Sequence, residues 1–307
     1  MGWQAKALSA SPSADWQVGM GPAASLSAAP VQASAIQRDG QWYQIPSLRE
    51  VTSVVLIEAL NQADVVLLGE LHDNPRHHSL RGELLESLAH RPITLVAEHL
   101  PHGQSFKSRI GVLADLQAAG FDDKAWQWPL HQPLFETVSR LKLPMVGGNL
   151  SNQAVKSVYA SKGDATPAVF KALLTQSPLS TGQQQALRDE IDQGHCGALP
   201  ASQLDNMIAV QRARDAAMAQ VALQHLPAVV LAGNGHVWKH LGVPQILQAN
   251  RPDLKTVSVL FMEQAPDQTP AQRQAWLQRL APQADWVWVG PVMAQRSDPC
   301  LAFKAKP

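Results

Sequence analysis

Three things are scarce in this 307-residue chain: cysteine, net charge and long apolar runs. Its two cysteines, Cys196 and Cys300, make no CxxC or CxxCH pattern. That removes zinc ribbons, thioredoxin-type redox motifs and covalently attached c-type haem. One structural bridge remains open to the pair, so cysteine usage does not settle the compartment. Lys plus Arg total 25 and Asp plus Glu total 25. With no basic stripe, nucleic acid is not an expected partner. No apolar run approaches the ~18 residues of a membrane-crossing helix, so no transmembrane span is expected. HExxH is missing, which excludes the zincin pattern.

What is present is a core and a rhythm. Apolar residues make up 45% of the chain, enough for a globular interior. The Ala-, Ser- and Pro-rich residues 1–34 hold Lys6 but no continuous apolar segment. No signal peptide is readable there, and a disordered leader is expected, with a single domain over 35–307. Residues 42–45 read as a short edge strand and 47–60 as a helix. Residues 65–68 are a compact apolar quartet ending at Gly69, as a buried strand should. Asn74 and Pro75 then supply a helix start, and Leu80, Leu84, Leu85 and Leu88 one apolar helical face.

The unit recurs. Strands are expected at 93–97, from 144, at 229–232, 256–261 and 286–289. Helices are expected over 104–119 and 133–141. Alternating strands and helices imply an α/β fold, with a mostly parallel central sheet flanked by helices. Residues from about 150 to 226 show helical character only, including one long helix over 204–226. They predict a helical cap insertion.

Open parallel sheets bind ligands beyond the carboxyl ends of their strands. Those ends carry Glu70 and His72, then Glu98 and His99, then Asn149, then Gly233, Asn234, Gly235 and His236. The topology therefore predicts one polar rim. Glu70 and His72 lie two residues apart and share a side of an extended segment. Such a pair can bind a metal, relay a proton or close a strand end with an ion pair. Glu98 follows an apolar strand, where a carboxylate is costly unless paired. His99 should point the other way, and Asn149 orients a ligand or caps the next helix. His77 and His78 sit in the first turn of their helix, with exposure the default and His77 the candidate to face the rim. Trp126, Trp128 and Trp238 are candidates for an aromatic wall. Gln211, Arg214 and Asp215 lie on the long insertion helix, part of the set facing the rim.

The stretches VVLLGELHDNPRHH (65–78), the strand ending in Glu98, WQWPLHQP (126–133), PMVGGNL (144–150), HCGALP (195–200), QRARDAAMA (211–219) and GNGHVWKHLGVP (233–244) resemble the ChaN-like haem-binding uptake family of the Tiki superfamily. The resemblance implies a bacterial cell-envelope protein of iron or haem acquisition, periplasmic or outer-membrane associated and often a lipoprotein, although no lipobox cysteine is readable. It implies haem as ligand, a homodimer formed around stacked haems, and a tyrosine on the iron.

The chain has only Tyr43 and Tyr159. Tyr159, with Lys156 three residues earlier, is the expected haem contact, with His131 and His195 as further candidates. Near 130–131 relatives often carry a tyrosine that this chain lacks, and His131 is its expected substitute. The wider superfamily implies an alternative. There, Glu70, His72, Glu98 and His236 would serve a metal-dependent peptidase or esterase, with a divalent metal held by Glu70, His72 and His236. An inert scaffold that only mediates interactions is the third reading.

Overall fold

A computed structural model describes residues 39–264, 267–293 and Cys300; the expected leader, residues 1–34, lies outside them. The chain runs β1 (Gln41–Gln44), β2 (Arg49–Val51), α1 (Ser53–Asn61), β3 (Val65–Leu68), α2 (Pro75–Leu88), β4 (Thr94–Pro101), β5 (Ser105–Phe106), α3 (Val112–Ala118), α4 (Gln132–Arg140) and β6 (Met145–Asn149). Four helices follow: α5 (Asn152–Ala160), α6 (Ala168–Gln176), α7 (Thr181–Gly194) and α8 (Ala201–Gln224). The last part is β7 (Ala228–Leu231), α9 (Asn234–Val237), α10 (Val243–Asn250), β8 (Thr256–Gln264), α11 (Pro270–Arg279) and β9 (Trp286–Pro291).

The strands join in one sheet of order β2-β1-β9-β8-β3-β7-β4-β6-β5. From β9 to β6 every neighbouring pair is parallel. Antiparallel β1 and β2 finish one edge, and antiparallel β5 the other. Parallel strands buried on both faces read as continuous apolar runs, and period-two alternation sorts their side chains. Val66, Leu68, Leu95, Ala97, Val229, Leu231, Val259, Phe261, Trp286 and Trp288 join one core, with α1, α2, α3 and α4. Val65, Leu67, Val96, Ala228, Val230, Leu260, Val287 and Val289 join the other, with α8, α10 and α11. Each fully buried Val or Leu contributes about 1.5–3 kcal/mol before entropy is counted. The expected α/β architecture is therefore the observed one, and the insertion supplies a layer of the second face: α8 packs on β4, β6 and β7, and α5, α6 and α7 pack on α8.

Two expected helices are shorter than the sequence suggests. The helix expected from 47 starts at Ser53, because Arg49–Val51 pairs with β1. The helix expected over 104–119 reduces to α3, preceded by β5. Phe106 pairs with Met145, and the Asp115 carboxylate accepts the amides of Arg109, Ile110 and Gly111, holding them as a turn ahead of the helix. Cys196 and Cys300 form a disulfide, Cα–Cα 5.6 Å, joining the α7–α8 turn to the far end of the chain.

Candidate functional site

Sheet alternation decides where each rim group points. Leu68 belongs to the face of α2 and α4, and two residues on, Glu70 belongs there too. In β4, Val96 faces α8, so Glu98 does as well, while His99 returns to the α2/α4 face. The two glutamates, both buried, thus serve opposite faces of one sheet.

On the first face, Glu70 is ion-paired to Arg81. His72 donates from Nδ1 to Glu70 Oε1 at 2.6 Å, and His131 Nε2 stands 3.3 Å from the same oxygen. His99 Nε2 lies 3.5 Å away. His78 donates from Nε2 to the carbonyl of His72 (3.0 Å). Its Nδ1 is then left to accept from the Arg81 guanidinium (3.1 Å). Burial lowers the His78 pKa to about 4 and pushes His99 and His131 well down. Burial also lowers Arg81 to about 9, so it stays a cation at neutral pH. One guanidinium and the neutral imidazoles of His78, His99 and His131 therefore stand around the Glu70 carboxylate. Trp126 covers the outside, its ring 4.4 Å from that of His99 and 5.1 Å from that of His72.

On the second face, His236 lies between two carboxylates. Its Nδ1 donates to Asp215 Oδ1 at 2.6 Å and its Nε2 stands 3.3 Å from Glu98 Oε1. The amide of Gly233 donates to Glu98 Oε2 (2.8 Å). Burial alone would lower the His236 pKa, but Glu98 and Asp215 outweigh it and raise it to about 10. Burial likewise opposes the Glu98 charge, yet His236, His72 and the Gly233 amide hold its pKa well below the usual value. Asp215 moves up, because burial exceeds the help from His236 and Arg212. Arg212 is itself buried, donating to the carbonyls of Leu241 (3.1 Å) and Ser177 (2.8 Å).

His72 bridges the two sets. Its side chain is 46% exposed while that of Glu70 is 0%. A Cβ at position 233 would lie 2.7 Å from His72 Nε2, so only glycine lets the imidazole settle beside Glu98. At this rim opens a cavity of about 380 Å³, lined by His72, Glu98, Trp126, Asn149, Ser151 and Arg214 among others.

The structure gathers most of the expected rim. Glu70, His72, Glu98, Asp215 and His236 form the connected network above. Asn149 donates to the Glu98 carbonyl (2.9 Å), while Ser151 does the helix capping. The Gln211 amide lies 3.1 Å from His236 Nδ1. His77 and His78 are buried, against the expectation of exposure. His77 accepts the Leu71 amide (3.0 Å) and packs against Phe261 and Trp288, away from the cavity.

The four expected haem contacts are not brought together at this cavity. His131 is buried beside Glu70. Tyr159 is half-buried and Lys156 exposed on α5. His195 ends α7, its Nδ1 donating to the Ile191 carbonyl at 2.7 Å. The metal set expected from the sequence also changes. Among the described residues, Glu70, His72 and His131 offer ligand atoms within 4.8 Å of one another; His236 is engaged on the other face, and Arg81 already neutralises Glu70.

Sequence reasoning missed Arg81, Arg212 and the inward role of His99. A signal for Arg81 existed: His77, His78 and Arg81 fall on the helical face of Leu84, Leu85 and Leu88, and polar groups on an apolar stripe need buried partners.

Comparison with known proteins agrees with this architecture. The profile of the family described as haem-binding uptake, Tiki superfamily, ChaN matches residues 56–247. No curated protein matches the chain. Among solved structures, ChaN of Campylobacter jejuni, described as showing cofacial haem binding, is 23% identical with a TM-score of 0.67, covering 83% of this chain and 98% of that one. A Bacillus cereus protein (12% identity, TM-score 0.40, covering 76% and 74% of the two chains) and the type III effector HopBA1 (15%, 0.42, covering 78% and 92%) overlap more loosely, and neither carries further argument.

Proposed function

The chain belongs to the haem-binding uptake family of the Tiki superfamily, ChaN, and from that premise we propose that it binds haem within an iron or haem uptake system of the bacterial cell envelope. The observation that carries this reading is the extent of the family match: residues 56–247 include every rim residue from Glu70 to His236. The described structure of Campylobacter ChaN, whose fold this chain shares, supports it.

The donor set fits haem. Tyr43 is buried in the core, whereas Tyr159 is only partly covered and stands on α5 with exposed Lys156 one turn before it. A phenolate can ligate ferric haem iron, and a lysine near it can meet a propionate. We assign these roles to Tyr159 and Lys156. His131, shut in beside Glu70, is a poor axial ligand, and His195 is the reserve. The haem supplies the iron; the chain's part is to ligate it and offset the propionate charge.

A haemin titration followed by absorbance tests the reading. Saturation near one haem per chain with a shifted Soret band is expected, and Tyr159→Phe should move or weaken that band. An unchanged haemin spectrum with equimolar protein would sink the proposal. Stacked haems would bring two copies together, so haemin should raise the sedimenting mass to that of a dimer. The disulfide suits an oxidising compartment, in keeping with an envelope location. Among the described residues no helix is long and apolar enough to cross a membrane. The hydrolase alternative is disfavoured by the geometry: His236 is paired with Asp215 and Glu98 on the other face, so it does not join Glu70 and His72 as a third metal ligand.

A further inference from the structure

One charge at the rim cavity is not balanced by the cavity's own walls. Glu98 accepts from His236 and from the Gly233 amide. Asp122 accepts the amides of Lys124 (3.2 Å) and Ala125 (3.0 Å). His72 is tied to Glu70, and burial keeps His99 neutral. Arg214, on α8, differs from all of these. Among the described residues it forms no ion pair, and its Nε, shielded from solvent, has no hydrogen-bond acceptor. Its neighbour Asp215 is committed to His236 on the other side. Guanidinium keeps its proton in proteins, and a buried donor without an acceptor is an uncommon feature of native structures.

The rest of the lining says what Arg214 would accept. Ser151 and Asn152 place the start of α5 at the cavity, and the Ser151 hydroxyl satisfies only the Ala154 amide there. A helix start adds a modest positive potential. Trp126, with Leu100, Pro101 and Leu150, supplies an apolar wall. Glu98 and Asp122 set an upper limit on the charge tolerated: a dianionic phosphate would face two carboxylates with a single guanidinium for compensation. A monoanion on a flat apolar body asks for no more than the one guanidinium and lays its body on the apolar wall. Carboxylate also matches the guanidinium fork in two parallel hydrogen bonds.

We propose that this cavity is a carboxylate-binding subsite, in which Arg214 takes the carboxylate of a ligand whose planar apolar body lies against Trp126. Two carriers share that chemistry, a haem propionate and a free aromatic carboxylate. The first rests on the haem function proposed above; the second does not.

Five probes on the full chain separate them: 2-naphthoate, neutral 2-naphthamide and inorganic phosphate by calorimetry, and haemin against its dimethyl ester by Soret absorbance. Wild type should bind naphthoate at least about tenfold more tightly than naphthamide or phosphate, and Arg214→Gln should erase the preference. Arg214→Lys, which keeps the charge but not the fork, should retain part of it, and this graded series separates loss of binding from loss of folding. If haem is the carrier, haemin should exceed its ester by at least a similar factor in wild type, and Arg214→Gln should narrow that gap about tenfold, leaving only what Lys156 contributes. Naphthoate selectivity without any haemin binding would overturn the haem function and leave the subsite standing. Wild type with no naphthoate preference and no difference between haemin and its ester, or an Arg214→Gln variant as selective as wild type, overturns the subsite.

Discussion

Glu70 and Glu98 are both buried at one rim of one sheet, yet opposite faces neutralise them by different chemistry. On the α2/α4 face Glu70 has Arg81, a cation at neutral pH by its own chemistry, beside the neutral imidazoles of His78, His99 and His131. On the α8 face Glu98 has a titrating cation, His236, which it shares with Asp215. The difference teaches that burying a carboxylate sets only the need for a partner. The partner's identity then sets how the site responds to pH. An arginine is a cation at neutral pH by its own chemistry, even with burial lowering it to about 9, whereas the imidazolium exists there only because two carboxylates hold its proton.

The sharpest way to break the comparison is to remove the arginine. Arg81→Met leaves Glu70 charged and enclosed, and should lower unfolding free energy by about 3–5 kcal/mol in urea titrations. Adding Glu70→Gln to that variant should recover part of the loss, since the stranded charge is then gone. A full-size loss in the double variant would mean that packing, not charge, dominates. His236→Ala strands two carboxylates but leaves Glu98 its Gly233 amide, so about 2–4 kcal/mol is expected.

Changes of pH should resolve the two faces without mutation. His236 has a folded pKa of about 10 against 6.5 unfolded. Its contribution is complete below pH 6.5 and disappears as pH rises through 10. His78 runs the other way, about 4 folded against 6.5 unfolded. The unfolded chain takes up that proton first, so stability drops as pH falls below 6.5 and the loss is complete below 4. His99 and His131 add to the same acid limb. Denaturant midpoints against pH should show both limbs. His236→Ala should flatten the alkaline one. In Glu98→Gln, NMR titration should find His236 well below its wild-type value. The smallest effect is the control: Arg188→Ala, breaking a surface pair with Asp205, should change stability by less than about 1 kcal/mol.

Much of this arrangement can be read in the residues, and the reason is local. Apolar quartets such as 65–68 and 228–231 need only their own pattern to be strands, so the parallel sheet and its rim were legible. So were Glu70, His72, Glu98 and His236, each standing at or just past a strand end. What escaped depended on distant partners. Arg49–Val51 is a strand only because β1 lies beside it. His99 looks like a surface residue until α4 brings Phe135 and His131 against it. Arg81 is 11 residues from Glu70, and nothing in that spacing announces an ion pair. The helices α10 and α11 were not anticipated either.

The bridge between Cys196 and Cys300 turns the last third of the chain into a covalent ring whose ends lie 104 positions apart. Ring closure of that size narrows the ensemble available after unfolding, by about 4–5 kcal/mol in the entropic account. Thiol reductants would cancel that gain with every side chain at the rim left in place. A preparation made under reducing conditions should therefore melt earlier than the oxidised protein while keeping the same spectroscopic fold.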